Sequence, residues 1–163
     1  MKPTYRHTKN ACYLGYTVSA IVNNFAPLLY VLFQTNFGIS MGQLSFLITF
    51  NFGVQTIVDS LGAYVADKIG YRSSMIAANL FAAGGLILMS VLPFVMSSFY
   101  GLVIATFVYA IGSGMLEVVV NPIIAALPSE ESTASMSFLH SFYCWGHVAM
   151  VLLSTLYFSI FGT

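Results

Sequence analysis

Charge is what this 163-residue chain has least of: five lysines and arginines, five aspartates and glutamates, 6% of residues together. A soluble domain carries about a quarter charged residues, so an ordinary soluble protein is excluded. Cysteine is nearly as scarce. Cys12 and Cys144 lie within or beside apolar runs, which excludes a disulfide framework and leaves no CxxC metal motif. HExxH, GxSxG and a pair of carboxylates beside a nucleophile are also missing, so catalysis is not expected. Neither a cofactor nor a nucleic-acid partner is expected. Low-complexity segments and N-x-S/T acceptors are absent as well.

What remains is apolar. Hydrophobic residues make up 58% of the chain, and the mean hydropathy is +0.87. A membrane-crossing helix needs roughly 20 predominantly apolar residues. Five such stretches stand out, at 11–35, 42–66, 74–96, 99–127 and 132–161. Asn36 to Ser40, Asp67 to Arg72, Ser97-Ser98 and Pro128 to Glu131 break the runs between them with turn or charge signals. Strands of a membrane barrel would alternate over about ten residues, whereas these runs are continuous and about twice that length. The expected fold is all-α, a polytopic protein in a lipid bilayer. The first stretch is too long for a cleaved leader and contains Asn23-Asn24 and Pro27.

Lys2, Arg6, Lys9, Lys68 and Arg72 are all of the lysines and arginines, and they fall in the N-terminal tail or between stretches two and three. Positive residues stay on the cytoplasmic side, so the N-terminus is expected there, with the plasma membrane as the location. The acidic 128–132 loop would face the same side, since Asp and Glu contribute little to this rule.

Against that background, polar groups at membrane depth are conspicuous. Glu130 and Glu131 fall in a loop and Asp67 at a helix end, which leaves Asp59 and Glu117 inside apolar stretches. An Asp at the helix centre costs about 2.5–3.5 kcal/mol on insertion scales, and such residues commonly face a cavity or a partner. At about 1.5 Å of rise per residue, Asn23 and Asn24 lie roughly 18–20 Å from the cytoplasmic end. Glu117 lies roughly 15 Å in, and His140, Tyr143 and His147 roughly 10–21 Å.

Three helices therefore bring polar groups towards the midplane. Glu117 and Asn121 share a face at i and i+4, and His140, Tyr143, Cys144 and His147 form one stripe. Pro122 removes the hydrogen bond to the Val118 carbonyl, and Pro27 does the same in the first stretch. Both are expected helix breaks, of a kind tolerated where backbone lines a cavity. Each residue also has a plainer reading. The asparagines can bridge helices, Asp59 can reach cytoplasmic water, and the histidines, Tyr143 and Trp145 can be packing residues. Gly84, Gly85, Gly112 and Gly114 are expected to admit close helix approach.

The order Asp67-Lys68-Ile69-Gly70-Tyr71-Arg72 resembles the cytoplasmic signature of the major facilitator superfamily, D-[RK]-x-G-x-[RK]. Ala63 stands where that signature has a further glycine. The resemblance implies that Asp67 and Arg72, supported by Lys68, form a conformational latch. A second stretch is similar to the fucose:proton symporter branch of that family. Its fourth helix carries a Gly-rich turn, a Glu and Asn-Pro, matched by Gly112, Gly114, Glu117, Asn121 and Pro122. Its Asn-Asn pair is matched by Asn23-Asn24, and its fifth-helix run by residues 140–146.

This resemblance implies that Glu117 takes part in sugar binding and proton coupling. The branch's other coupling carboxylate falls at Ala26-Pro27 here, leaving Glu117 alone, Asp59 or His140 for that task. It further implies that five helices are part of a six-helix half, working with a C-terminal half or with an oligomeric copy. The expected function is secondary transport of a small solute, most plausibly a sugar with protons, by rocking of two bundles. Asn23, Asn24 and Asn121 would bond its hydroxyls. A membrane-embedded sensor without a transport cycle is the competing class.

Overall fold

The computed structural model of the protein describes residues 5–127 and 129–161. They form five helices: α1 (Tyr5–Phe37), α2 (Met41–Ile69), α3 (Tyr71–Val95), α4 (Ser98–Ala125) and α5 (Ser129–Phe161). All five contain a window long and apolar enough to cross a membrane. In a bilayer the helix is favoured because it satisfies every backbone group within one segment. The chain is an all-α, multi-pass membrane protein. Lys2 and Pro128 lie outside the described residues.

The helices extend past the apolar stretches, and the turns shrink accordingly. The expected loop between stretches two and three is a single residue, Gly70, at φ 85°. Asp67 and Lys68 belong to the end of α2, and Arg72 to the start of α3. Residues 130 and 131, expected in a loop, are part of the α5 helix. Charged residues are good helix formers once a helix emerges from lipid, so an apolar run marks the membrane crossing and not the helix end. At the opposite end α1 stops at Gly38, φ 64°, and Ser40 opens α2 with a capping box. The Ser40 hydroxyl accepts from the Gln43 amide N–H at 3.3 Å, and the Gln43 side chain accepts from the Ser40 N–H at 2.9 Å. These reciprocal bonds satisfy two of the donors left over at a helix start.

Helix α4 is the centre of the bundle. It packs most extensively on α3, then on α2 and α1, while α5 rests chiefly on α1. The α3–α4 contact is close because two glycines permit it. A Cβ on Gly112 would run into the Ala82 backbone nitrogen, and one on Gly85 into the Tyr109 backbone. Gly114 faces Val58 of α2, with Cγ1 3.1 Å from where a Cβ would sit. Gly84, expected to serve the same purpose, has nothing within 4 Å and plays no part in packing. Pro27 and Pro122 interrupt neither α1 nor α4, contrary to the expected helix breaks. Each removes one hydrogen bond while the rest of the ladder carries the helix on.

Candidate functional site

Polar side chains from three helices meet beside Glu117. The Ser19 hydroxyl and the Asn23 amide, both from α1, donate to Glu117 Oε1 at 3.3 and 3.2 Å. Asn23 Oδ1 accepts two short bonds of 2.7 Å, one from Gln55 Nε2 of α2 and one from Ser113 Oγ of α4. Ser19 and Ser113 are themselves 3.2 Å apart, and Gln55 reaches Ser113 at 3.5 Å. Asn23 is thus the centre of the network, tying α1 to both α2 and α4. Glu117 Oε1 holds two donors, whereas no hydrogen bond among the described residues involves Oε2.

The network borders a cavity of about 310 Å³ lined by α1, α2, α4 and α5. Glu117, Asn23, Asn24, Gln55, Tyr143 and His147 belong to its lining. Pro27, Tyr30, Asn51, Tyr109, Ile48 and Phe52 complete the lining. Its size is near the lower limit of small-molecule sites. One carboxylate and no lysine or arginine contribute to the lining. A second, larger cavity of about 830 Å³ is a greasy groove between α1 and α3, bounded by residues such as Leu14, Val18, Ile76 and Leu80. Its lining is mainly apolar, with Arg72 and Asn79 as the polar side chains.

The residues expected from the sequence divide into two groups. Glu117, Asn23, Asn24 and Tyr143 come together at the cavity. The Asn24 amide donates to the Ala20 carbonyl at 2.7 Å, and the Tyr143 hydroxyl stands beside Asn23. His140 and Asn121 do not line it. The His140 ring meets Tyr16 edge-on at 5.8 Å, and Tyr16 packs on Tyr143 at 5.1 Å. Asn121 lies by the Tyr16 hydroxyl, with its Oδ1 buried and without a partner. Tyr16, Tyr143 and His140 thus form an aromatic cluster between α1 and α5, in which Tyr16 is buried and His140 exposed. Asp59 is exposed, one turn beyond Gln55, and does not line the cavity.

The expected latch residues are arranged differently from an ion-paired cluster. Asp67 Oδ1 accepts from the Tyr71 hydroxyl at 2.9 Å. Lys68 Nζ lies 4.5 Å above the Tyr64 ring, a cation–π geometry. Arg72 lines the grooves beside α1 with Ala11 and Met75. The Asp67–Tyr71 bond spans the one-residue turn, whereas Tyr64 and Lys68 meet as i and i+4 neighbours on α2.

Ser19, Gln55, Ser113, Asn51, Tyr30 and Tyr109 were not expected from the sequence. A signal for some of them exists: Asn51, Gln55 and Asp59 repeat every four residues, as do Tyr109, Ser113 and Glu117. Such spacing sets side chains on one helix face.

The sequence profile of the Major Facilitator Superfamily matches residues 12–163, nearly the whole chain. The chain belongs to the major facilitator superfamily. No curated protein and no solved structure matches it. Five membrane-crossing helices and this membership make small-molecule transport across a lipid bilayer its general function.

Proposed function

We propose that the protein is the substrate-lining part of a secondary transporter for a small, neutral, polyhydroxylated solute such as a sugar, coupled to protons through Glu117. The observation that carries this reading is the cavity itself. Its lining offers amides, phenols, one carboxylate and the His147 imidazole, but no lysine or arginine for an anionic solute. Amides and phenols both donate and accept, as a hydroxyl-bearing solute requires. Glu117 presents one oxygen to the helix network and keeps the other free of protein donors. That free oxygen can take a proton or a substrate hydroxyl without dismantling the network.

In this reading the cavity is one half of a site completed by a second bundle, the C-terminal half of the transporter. The two rock about the midplane in alternating access. Asn23, Asn24 and Tyr143 hold substrate hydroxyls, and Asp67, Lys68 and Arg72 move against the second bundle at the cytoplasmic face of the plasma membrane, where the N-terminus lies. Asp59, exposed one turn past Gln55, and His140, exposed beside the Tyr16 ring, flank a route for the proton between that face and Glu117.

The test is uptake of radiolabelled sugars by the full-length gene product in proteoliposomes, with and without an inward proton gradient. Wild type accumulates substrate against its gradient. Glu117→Gln loses accumulation, by tenfold or more, and retains substrate exchange. Equal accumulation by the two proteins makes Glu117 a structural carboxylate. A wild type that equilibrates substrate but ignores the gradient is a uniporter.

A further inference from the structure

Among the described residues, three buried side-chain polar atoms have no hydrogen-bond partner: Asn51 Oδ1, Thr106 Oγ1 and Asn121 Oδ1. Burying an amide without partners is costly, commonly about 1–3 kcal/mol in proteins, so each of these groups needs a reason. Only Asn51 also lines the polar cavity. It is 6% exposed, and neither end of its amide bonds to any described residue. Exchanging the oxygen and nitrogen of the amide leaves the same deficit, because a buried NH2 would then lack an acceptor.

The same lining holds Tyr30 and Tyr109, whose hydroxyls are 3.3 Å apart. One of the two donates to the other, so the pair retains a second phenolic proton to give away. Asn51 lies one helical turn from Gln55, about 6 Å of rise, on the side away from Asp59. Tyr109 lies two turns from Glu117, about 12 Å along α4. The cavity therefore has two chemically distinct ends, an acidic one whose groups are largely satisfied and an uncharged one where Asn51 Oδ1 has no partner.

We infer that Asn51, with the Tyr30–Tyr109 hydroxyl pair, forms a second, uncharged subsite that binds two neighbouring hydroxyls of a neutral polyol. An amide offers one acceptor and one set of donors side by side. A vicinal diol, in which one hydroxyl donates and the other accepts, is its complement. The spare phenolic proton serves a third oxygen. Asn51 is thus the residue that selects the hydroxyl pattern of the substrate at the end remote from Glu117. This subsite rests on the reading of the cavity as a polyol site and adds the part of the substrate that the remote end reads.

The experiment measures equilibrium binding to the full-length gene product in detergent, with tritiated aldohexoses, 6-deoxyhexoses and a hexitol as probes. Wild type, Asn51→Leu, Asn51→Ser and Glu117→Gln are compared, together with the melting temperature of each ligand-free protein. For whichever probe binds wild type, Asn51→Leu and Asn51→Ser weaken binding at least tenfold. The ligand-free Asn51→Leu melts no lower than wild type, since a partnerless buried amide has been replaced by an apolar group of similar size. One monodeoxy analogue of the bound probe loses affinity on wild type and loses nothing further on Asn51→Ser. Unchanged affinity in both Asn51 variants overturns the subsite and leaves the polyol reading standing. Binding lost together with a lowered melting temperature in both variants makes Asn51 a structural residue and also overturns it. If no probe binds wild type, the polyol reading fails and the subsite fails with it.

Discussion

Helix α4 has two working faces, and they are built on opposite principles. Towards α3 it presents Gly112 and the backbone of Tyr109, meeting Ala78, Ala82 and Gly85 across a contact where backbone nearly touches backbone. Towards α1 and α2 it presents Ser113 and Glu117, which meet Ser19, Asn23 and Gln55 through hydrogen bonds. Lipid tails are as apolar as leucine, so apolar side chains alone gain little by leaving lipid for a helix interface. Close packing of small residues and interhelical hydrogen bonds are the alternatives. This protein uses the first where nothing needs to bind and the second where something does. One face cannot be opened without separating two backbones; the other can exchange its partners for those of a ligand.

The comparison is broken most severely at Gly112. Gly112→Val would place its Cβ against backbone atoms of Ala78 and Ala82, which cannot step aside as a flexible side-chain tip can. The expected cost is on the order of 4 kcal/mol or more, read as loss of monodisperse protein on size-exclusion chromatography in detergent. At the polar face, Asn23→Leu removes the bonds to Glu117, Gln55 and Ser113 together. Interhelical hydrogen bonds in membranes average about 0.6 kcal/mol each, so about 2 kcal/mol is expected. Thermal unfolding in detergent should show a lowered midpoint with folded protein still recovered. An Asn23→Leu variant as damaged as Gly112→Val would mean that the polar network, and not the glycine contact, holds the bundle together. The smallest effect is at Gly84, whose neighbourhood is open. Gly84→Ala should be neutral or stabilising by up to about 1 kcal/mol through helix propensity alone, and a loss of stability there would place a partner on that surface.

The same contrast explains what could be read from the sequence. The five spans and the all-α class were legible because composition and run length report directly on the solvent, and the solvent here is lipid. Glu117 and Asn23 were legible because a carboxylate or a paired asparagine is costly enough in lipid to require an explanation. Ser19, Ser113 and Gln55 were not. A serine can satisfy itself on its own helix, as Ser60 does on the Thr56 carbonyl at 2.8 Å. Only the packing tells which serine instead points at a neighbour. Asp59 drew notice by its charge but stands exposed, while Gln55, one turn away on the same helix, makes the contacts to Asn23 and Ser113. Helix ends were misjudged for a related reason, because apolar runs record the thickness of the membrane while the helices continue into water.

The single-residue turn at Gly70 has a mechanical consequence. Its φ of 85° lies in the left-handed region, which costs other residues roughly 1–2 kcal/mol, and one residue leaves no slack between α2 and α3. The turns at residues 38–40 and 96–97 are also short, but this one joins a helix that touches the cavity to one that touches only its neighbours and the surroundings. The two dihedrals of Gly70 are the whole of the link, so a tilt of α2 at the cavity bears directly on the start of α3. The end of the bundle that carries Asp67, Lys68 and Arg72 therefore joins the two helices through a single joint.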